Sequence, residues 1–296
     1  MSDTPSRSGY VAIVGRPNAG KSTLLNALIG QKISITSRRP QTTRQNILGI
    51  VSRRDTQVVF LDTPGFQTQY RSALTMAMDR GFRNALATAH AVLWLMDATA
   101  RELVDGELHA RLQACHNVVI ALNKIDKISN KNQLLEDIQR LDAAYRPAAI
   151  VPISAQQKLQ LDTLLDALAP LLPEQPFLFP ASEITTATVR TLASEMIREK
   201  LFRLLGQELP YSTAVEIESF EEKPALTRIA AVILVDKPSQ KAIVIGKGGE
   251  KLKEIGTTAR KEIEVLVGGK VFLQLFVKVR QSWADDRKTL SRLGLS

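Results

Sequence analysis

Eight residues, Gly15-Arg16-Pro17-Asn18-Ala19-Gly20-Lys21-Ser22, constrain this chain more than any other feature. They come after an apolar run, Tyr10 to Val14, that reads as a buried strand, and they open a helical stretch from Lys21 to Ile29. A G-x-x-x-x-G-K-S loop in that position turns backbone amides inward around a phosphate, and the helix after it adds a favourable dipole. Lys21 would reach the β- and γ-phosphates, and Ser22 would ligate Mg²⁺. Gly15, Arg16, Pro17, Asn18, Ala19, Gly20, Lys21, Ser22 and Thr23 are therefore the candidate phosphate contacts.

Such a loop needs a sheet behind it. Val58 to Leu61, Ala91 to Met96, Val118 to Leu122 and Ala149 to Ile153 are further apolar runs of strand length, with helical patterns at Leu74 to Ala89 and Asn132 to Tyr145. Strands alternating with amphipathic helices predict an α/β domain, a mostly parallel sheet wrapped by helices.

Base identity is carried by Asn123-Lys124-Ile125-Asp126, directly after the strand Val118 to Leu122. An aspartate can accept two hydrogen bonds from the N1 and N2 groups of guanine, for which adenine has no counterpart; such sites reject the wrong base by about 10⁴. Lys124 would lie along the base and Asn123 would brace the phosphate loop. Ser154-Ala155 comes after the next strand, where a backbone amide can meet guanine O6. Asp62-Thr63-Pro64-Gly65 stands at another strand end: Asp62 suits a water-mediated Mg²⁺ role, and the Gly65 amide can bond the γ-phosphate. A simple Pro-Gly turn is the competing reading of that tetrapeptide. Thr42-Thr43 lies in a polar, basic stretch, Ser34 to Gln45, long enough for a switch that orders around the γ-phosphate and Mg²⁺; two exposed loop threonines are the competing reading.

Around residue 170 the texture changes. Pro170, Pro173, Pro176 and Pro180 fall close together, which predicts an extended linker over 173–182 between domains at 1–172 and 183–296. Beyond it the pattern reads helix, Thr188 to Leu205, then strands Ala214 to Phe220 and Arg228 to Val235. A Gly-rich turn at Gly246, a helix Glu250 to Val267 and a strand Val271 to Val279 complete it. The turn, Ile245-Gly246-Lys247-Gly248-Gly249, is a G-x-x-G loop flanked by helical patterns. A single-stranded backbone can approach glycines closely while lysines neutralise phosphate; a glycine helix cap is the competing reading of the turn alone. Lys241, Lys247, Lys251 and Lys253 surround the loop, and Ile243, Val244 and Ile245 are candidates for an apolar floor beneath bases.

The set Gly15–Ser22, Thr42-Thr43, Asp62–Gly65, Asn123–Asp126 and Ser154-Ala155 resembles the translation-factor-related GTPases. Gln41-Thr42-Thr43-Arg44, Asn18 and the C-terminal order of elements make it similar to the Era family over nearly the whole chain. The resemblance implies a P-loop GTPase domain and then a smaller α+β, type II KH domain, with GTP/GDP and Mg²⁺ as cofactors. Metal contacts carried over are Ser22, the second threonine Thr43 and Asp62, and catalysis falls to Lys21, Thr43 and Gly65. The residue after Gly65 is Phe66, where Ras-like enzymes hold a water-orienting glutamine. Relatives with a hydrophobic residue there position water otherwise, some with a K⁺ ion through the asparagine equivalent to Asn18, so slow intrinsic turnover is expected. Arg38, Arg39 and Arg44 are arginine-finger candidates by location only. Ile245, Gly246, Lys247, Gly248, Gly249, Lys251 and Lys253 would bind RNA. The resemblance implies that this RNA is 16S ribosomal RNA near its 3′ end, in small (30S) subunit assembly and rRNA processing.

Charge agrees with a polyanionic partner. Net charge is +9, and from Thr4 to Arg54 there are nine basic residues and no acid. The single cysteine, Cys115, and an N-terminus without an apolar core point to a cytoplasmic protein, expected as a monomer. Two rival readings stay open. One is a binding module with GTP as a structural ligand; the other is a regulatory GTPase at the cytoplasmic membrane whose basic surface meets anionic lipid.

Overall fold

A computed structural model of the chain describes residues 6–36, 43–44, 47–64, 72–100, 102–206 and 209–295. They divide into two compact units: the first holds the described residues of 6–34, 43–64 and 79–186, and the second holds 35–36, 72–78 and those beyond Thr186.

In the first unit, β1 (Arg7–Val14) passes through the phosphate loop into α1 (Lys21–Ile29), and β2 (Ile47–Arg53) and β3 (Thr56–Asp62) form a hairpin. Next come α2 (Ala73–Thr88), which belongs to this unit from Asp79 onward, β4 (Ala91–Asp97) and α3 (Gly106–Leu112). β5 (Val118–Asn123), α4 (Lys131–Tyr145), β6 (Ala149–Pro152) and α5 (Leu161–Leu168) complete it. The sheet order is β2-β3-β1-β4-β5-β6, and every pairing except β2 with β3 is parallel. β1, β4 and β5 are buried along nearly their whole length. Helices cover a parallel sheet on both faces, which is why these strands read as unbroken apolar runs rather than alternating ones. Trp94 packs in that core with Ala12, Phe82, Ile120, Leu122 and Leu141.

The chain lays β3 on one side of β1 and β4 on the other, so β1 marks the point where strand order reverses. Ligands of open α/β sheets bind outside the carboxyl ends of the strands at such a point. Gly15 occupies that turn with φ +152°, and a Cβ there would fall on the Leu95 carbonyl oxygen. Only glycine lets the loop leave β1 so closely against β4.

The stretch 173–182, expected as a linker, is fastened along the first unit. Ser8 N donates to Pro173 O (3.2 Å), Gln175 N donates to Ser6 O (3.0 Å), and the Gln57 amide pairs with both backbone groups of Phe179. Farther on, Ile50 N donates to Ile184 O (2.8 Å) and Thr185 Oγ1 donates to Leu48 O (2.6 Å). Proline lacks an N–H but keeps its carbonyl, so a proline-rich strap can still be held as an acceptor. The first unit therefore extends past residue 172 to Thr186.

The second unit holds α6 (Val189–Leu204), β7 (Thr213–Glu221), β8 (Thr227–Val235), α7 (Pro238–Ile245), α8 (Glu250–Val267), β9 (Val271–Val279) and α9 (Arg287–Arg292). Its sheet is β7-β8-β9, antiparallel then parallel, with a bulge between Ile217 and Ser219. One sheet face packs Ile229, Ala231, Ile233 and Val235 against Ala193, Ile197 and Leu201 of α6 and Ile255, Ala259 and Ile263 of α8. On the other face Ala214, Val232 and Leu234 meet Trp283, Leu290 and Leu295. Trp283 is packed, and its indole N–H donates to Ser212 O at 2.9 Å. Among the described residues, no helix is long and apolar enough to cross a membrane.

Candidate functional site

The carboxyl ends of β1, β3, β5 and β6 bring the expected nucleotide residues of the first unit together. Lys21 starts α1, and its Nζ donates to Gly15 O (2.9 Å) and Arg16 O (3.1 Å). Burial pushes its ammonium down to about 8, opposed by the Asp62 carboxylate. Asp62 ends β3, wholly buried; burial raises its carboxyl, opposed by the Ser34 hydroxyl, the Lys21 charge and the Ser22 and Thr43 hydroxyls. Both groups are displaced toward their neutral forms, as expected of a polar pocket built for charges that arrive with a ligand.

Ser22 Oγ lies 3.1 Å from Thr43 Oγ1, and both donate to Asp62 Oδ2, at 3.1 and 3.2 Å. Asp62 Oδ1 is buried and has no hydrogen-bond partner among the described residues. An orphaned carboxylate oxygen beside two hydroxyl oxygens fits Mg²⁺, a hard cation that takes oxygen ligands and keeps several waters. Ser34, the first residue of the expected switch stretch, adds a third hydroxyl on Asp62 Oδ2 at 2.8 Å.

Asn123 ends β5 and joins the phosphate loop to the base segment. Its Nδ2 donates to Ala19 O (2.8 Å), and its Oδ1 accepts from Ala155 N (3.0 Å). The Ser154 hydroxyl donates to Asp126 Oδ1 at 2.6 Å, so the residue expected for its backbone also fixes the carboxylate expected to read the base. Lys124 sits in the left-handed region at φ +69°, and its Nζ pairs with Asp97 Oδ2 at 2.5 Å. Asp97 is in turn held by the Thr99 backbone N–H (3.0 Å) and hydroxyl (2.7 Å). Sequence reasoning missed Asp97. The available signal was its register: it ends β4 opposite Asn123, as Asp62 ends β3.

Arg16 leaves the loop toward Asp105, its Nε donating to Oδ2 at 2.7 Å. Asp105 caps α3, accepting from Leu108 N at 3.2 Å. Burial alone would raise this carboxyl, but the Arg16 guanidinium and the cap N–H groups outweigh it and hold it below the usual range. A depressed carboxyl stabilises the fold above its unfolded pKa, and the benefit is lost as pH falls through the folded value. Asp105→Ala is accordingly expected to cost about 1–2 kcal/mol at pH 7, as lost helix caps do. Denaturant melts should show the deficit shrinking below about pH 4, as the carboxylate protonates first in the unfolded and then in the folded state.

Thr63 and Pro64 come directly after Asp62, and Thr63 Oγ1 donates to Ile13 O at 2.7 Å. Asn18, at φ +64°, is exposed in the turn of the phosphate loop. Arg44 is buried. Arg38, Arg39, Thr42, Gly65 and Phe66 lie outside the described residues.

In the second unit, α7 ends at Ile245, Gly246 to Gly249 turn the chain, and α8 begins at Glu250. Gly246 has φ +75°, and a Cβ on it would press on Lys251. Lys247 and Lys253 are exposed, Lys241 and Lys251 half-buried, and none of the four makes an ion pair with a described residue. The apolar floor needs one correction. Ile243 is exposed, but Val244 is wholly buried in the core with Ile255 and Ile263, and Ile245 packs against that core. Consecutive helical positions point to different faces, so three in a row cannot line one surface.

Comparisons with known proteins respect this division. Residues 10–124 match the family described as 50S ribosome-binding GTPase, and residues 208–284 match the KH domain family. The chain is 49% identical over 295 residues to GTPase Era of Chromobacterium violaceum, covering 100% of each chain. It is similar, at 38% identity and a TM-score of 0.92, to a crystal structure of a single-residue variant of Aquifex aeolicus Era bound to GDP·AlF4⁻, covering 98% of this chain and 99% of that one. A second solved structure, Era in complex with MgGDPNP and nucleotides 1506–1542 of 16S ribosomal RNA, matches with a TM-score of 0.93 at 38% identity over the same shares.

Proposed function

The chain belongs to the Era family of GTPases, and on that premise we propose that its nucleotide state controls binding of the 3′ region of 16S ribosomal RNA by its KH domain, during assembly of the small ribosomal subunit. It binds guanine nucleotides and hydrolyses GTP. The observation that carries the proposal is an intact G-x-x-G turn with four lysines free of carboxylate partners among the described residues, in the same chain as a full guanine site.

Each side chain has a task in this reading. Lys21 and the loop amides from Gly15 to Ser22 hold the phosphates, with Thr23 next in α1 and Gly65 adding its amide. Asp126, held by Ser154, accepts from the guanine edge; Lys124, steered by Asp97, lies along the base; Asn123 locks base and phosphate segments into one frame. Ser22, Thr43 and Asp62 would hold Mg²⁺, which supplies neutralising charge to the β- and γ-phosphates. The protein's contribution to hydrolysis is positioning and charge stabilisation. Asn18 is the candidate contact for a K⁺ ion. Ile245 to Gly249, with Lys251 and Lys253, form the RNA contact, phosphates against the glycines and lysines. The reading takes the chain as a cytoplasmic monomer.

Crosslinking and sequencing of bound RNA tests this, comparing the unaltered protein with a Lys247→Asp, Gly248→Asp double variant, each with a non-hydrolysable GTP analogue and with GDP. Discrete sites near the 16S 3′ end are expected with the analogue, and affinity on the order of 10²-fold lower in the variant. RNA recovery indifferent to both loop and nucleotide would overturn the proposal. Binding to anionic vesicles in its place would favour the membrane alternative.

A further inference from the structure

We propose that Ser34 is a positioning residue of the magnesium site, setting the orientation of the Asp62 carboxylate, and that Asn26 holds Ser34 in place to do so. The inference rests on the reading of Ser22, Thr43 and Asp62 as the Mg²⁺ residues.

Three hydroxyls converge on Asp62 Oδ2: Ser22 at 3.1 Å, Thr43 at 3.2 Å and Ser34 at 2.8 Å. Ser22 and Thr43 have a second duty in this reading, since their oxygens would be metal ligands. Ser34 has none. It makes the shortest of the three bonds and is only 1% exposed. The terminal torsion of an aspartate is broad and roughly two-fold, so the carboxylate has little orientation of its own and takes what its partners impose. With three donors drawn to Oδ2, the other oxygen, Oδ1, is left buried and without a partner among the described residues. That is the oxygen available to a metal-bound water.

Ser34 is itself fixed to an unusual degree. The Asn26 side chain accepts from Ile33 N and Ser34 N, both at 2.9 Å, and donates to Ser34 O at 2.7 Å. Asn26 lies four residues after Ser22 in α1, hence on the same helix face. One helix therefore carries both a metal hydroxyl and the clamp on the serine that aims the carboxylate. The path from Ser22 along α1 to Asn26, across to Ser34, on to Asp62 and back to Ser22 is closed by hydrogen bonds. Partners of this kind, one step removed from the metal, typically cost about 10–100-fold in metal affinity when lost.

The test is the dissociation rate of a fluorescent GDP analogue as free Mg²⁺ is raised from chelator-buffered trace levels. For the unaltered protein, Mg²⁺ should slow release; no dependence on Mg²⁺ would reject the metal reading itself, and the inference with it. Ser34→Ala should need about tenfold more free Mg²⁺ for half-maximal slowing, while release without Mg²⁺ stays unchanged, which also shows that the variant is folded. Asn26→Ala keeps the hydroxyl but frees its segment, and should shift the Mg²⁺ midpoint in the same direction by a smaller factor. The double variant should be no worse than Ser34→Ala, because the two residues act in series. An unshifted midpoint in Ser34→Ala overturns the inference. So does faster release by the same factor with and without Mg²⁺, which marks a merely structural serine. Additive shifts in the double variant overturn the role given to Asn26.

Discussion

Lys21→Ala is expected to lower kcat/KM for GTP by about 10³-fold, about 4 kcal/mol of transition-state stabilisation, measured as multiple-turnover phosphate release. The reason lies in how the amine is held. It is almost fully buried, its donors directed at the Gly15 and Arg16 carbonyls, and burial has already drawn its pKa down to about 8. A charge kept in so dry a place interacts strongly with whatever anion arrives, since little water screens it. The same burial is a cost when no nucleotide is bound, because an ammonium has left water for a site with one buried carboxylate nearby. The variant should therefore melt at or above the temperature of the unaltered protein in the nucleotide-free state, and lose most of the upward shift that GTP confers. Turnover within tenfold of the unaltered protein would remove Lys21 from the phosphate site.

Asp126→Ala should abolish most of the preference for guanine. A site that pairs both guanine donors with one carboxylate discriminates by about 10⁴, and that selectivity disappears with the acceptor. The ratio of kcat/KM for GTP to that for ATP is the measurement, with GTP expected to fall toward ATP rather than ATP to rise. Ser154→Ala should erode the ratio much less. It removes one 2.6 Å bond that fixes the carboxylate and leaves the carboxylate itself. A GTP preference unchanged in Asp126→Ala would place base recognition elsewhere.

The phosphate and base segments were legible because each occupies a short run of sequence at the end of an apolar strand. Gly15–Ser22, Asp62–Pro64 and Asn123–Asp126 are read without knowing the sheet, since a strand end fixes where the next residues point. What could not be read is what acts across the sheet. Asp97 matters through Lys124, just past the end of the adjacent strand, Asp105 through an arginine of the phosphate loop 89 positions away, and Ser34 through a carboxylate 28 positions away. None of these has a local pattern, and a lone Ser or Asp in a loop is ordinary. β2 escaped notice for a related reason: its burial is strong near Ile47 and fades toward Arg53, so it gives neither a full apolar run nor a clean alternation. The second unit was easier, because a G-x-x-G between helices fixes its neighbours. The misplacement of Val244 as a floor residue came from treating three consecutive helical positions as one surface.

The bonds from Ile50 and Leu48 to residues 184 and 185 have a consequence for how copies of this chain coexist at high concentration. β2 is one of the two outer strands of the large sheet, and an uncovered outer strand is a template onto which another chain can add. Here that template is already used by the chain's own connecting segment. A fragment cut at residue 172 would keep every nucleotide residue and yet expose that rim. Self-association of such a fragment would then report a lost cover strip rather than a misfolded nucleotide site.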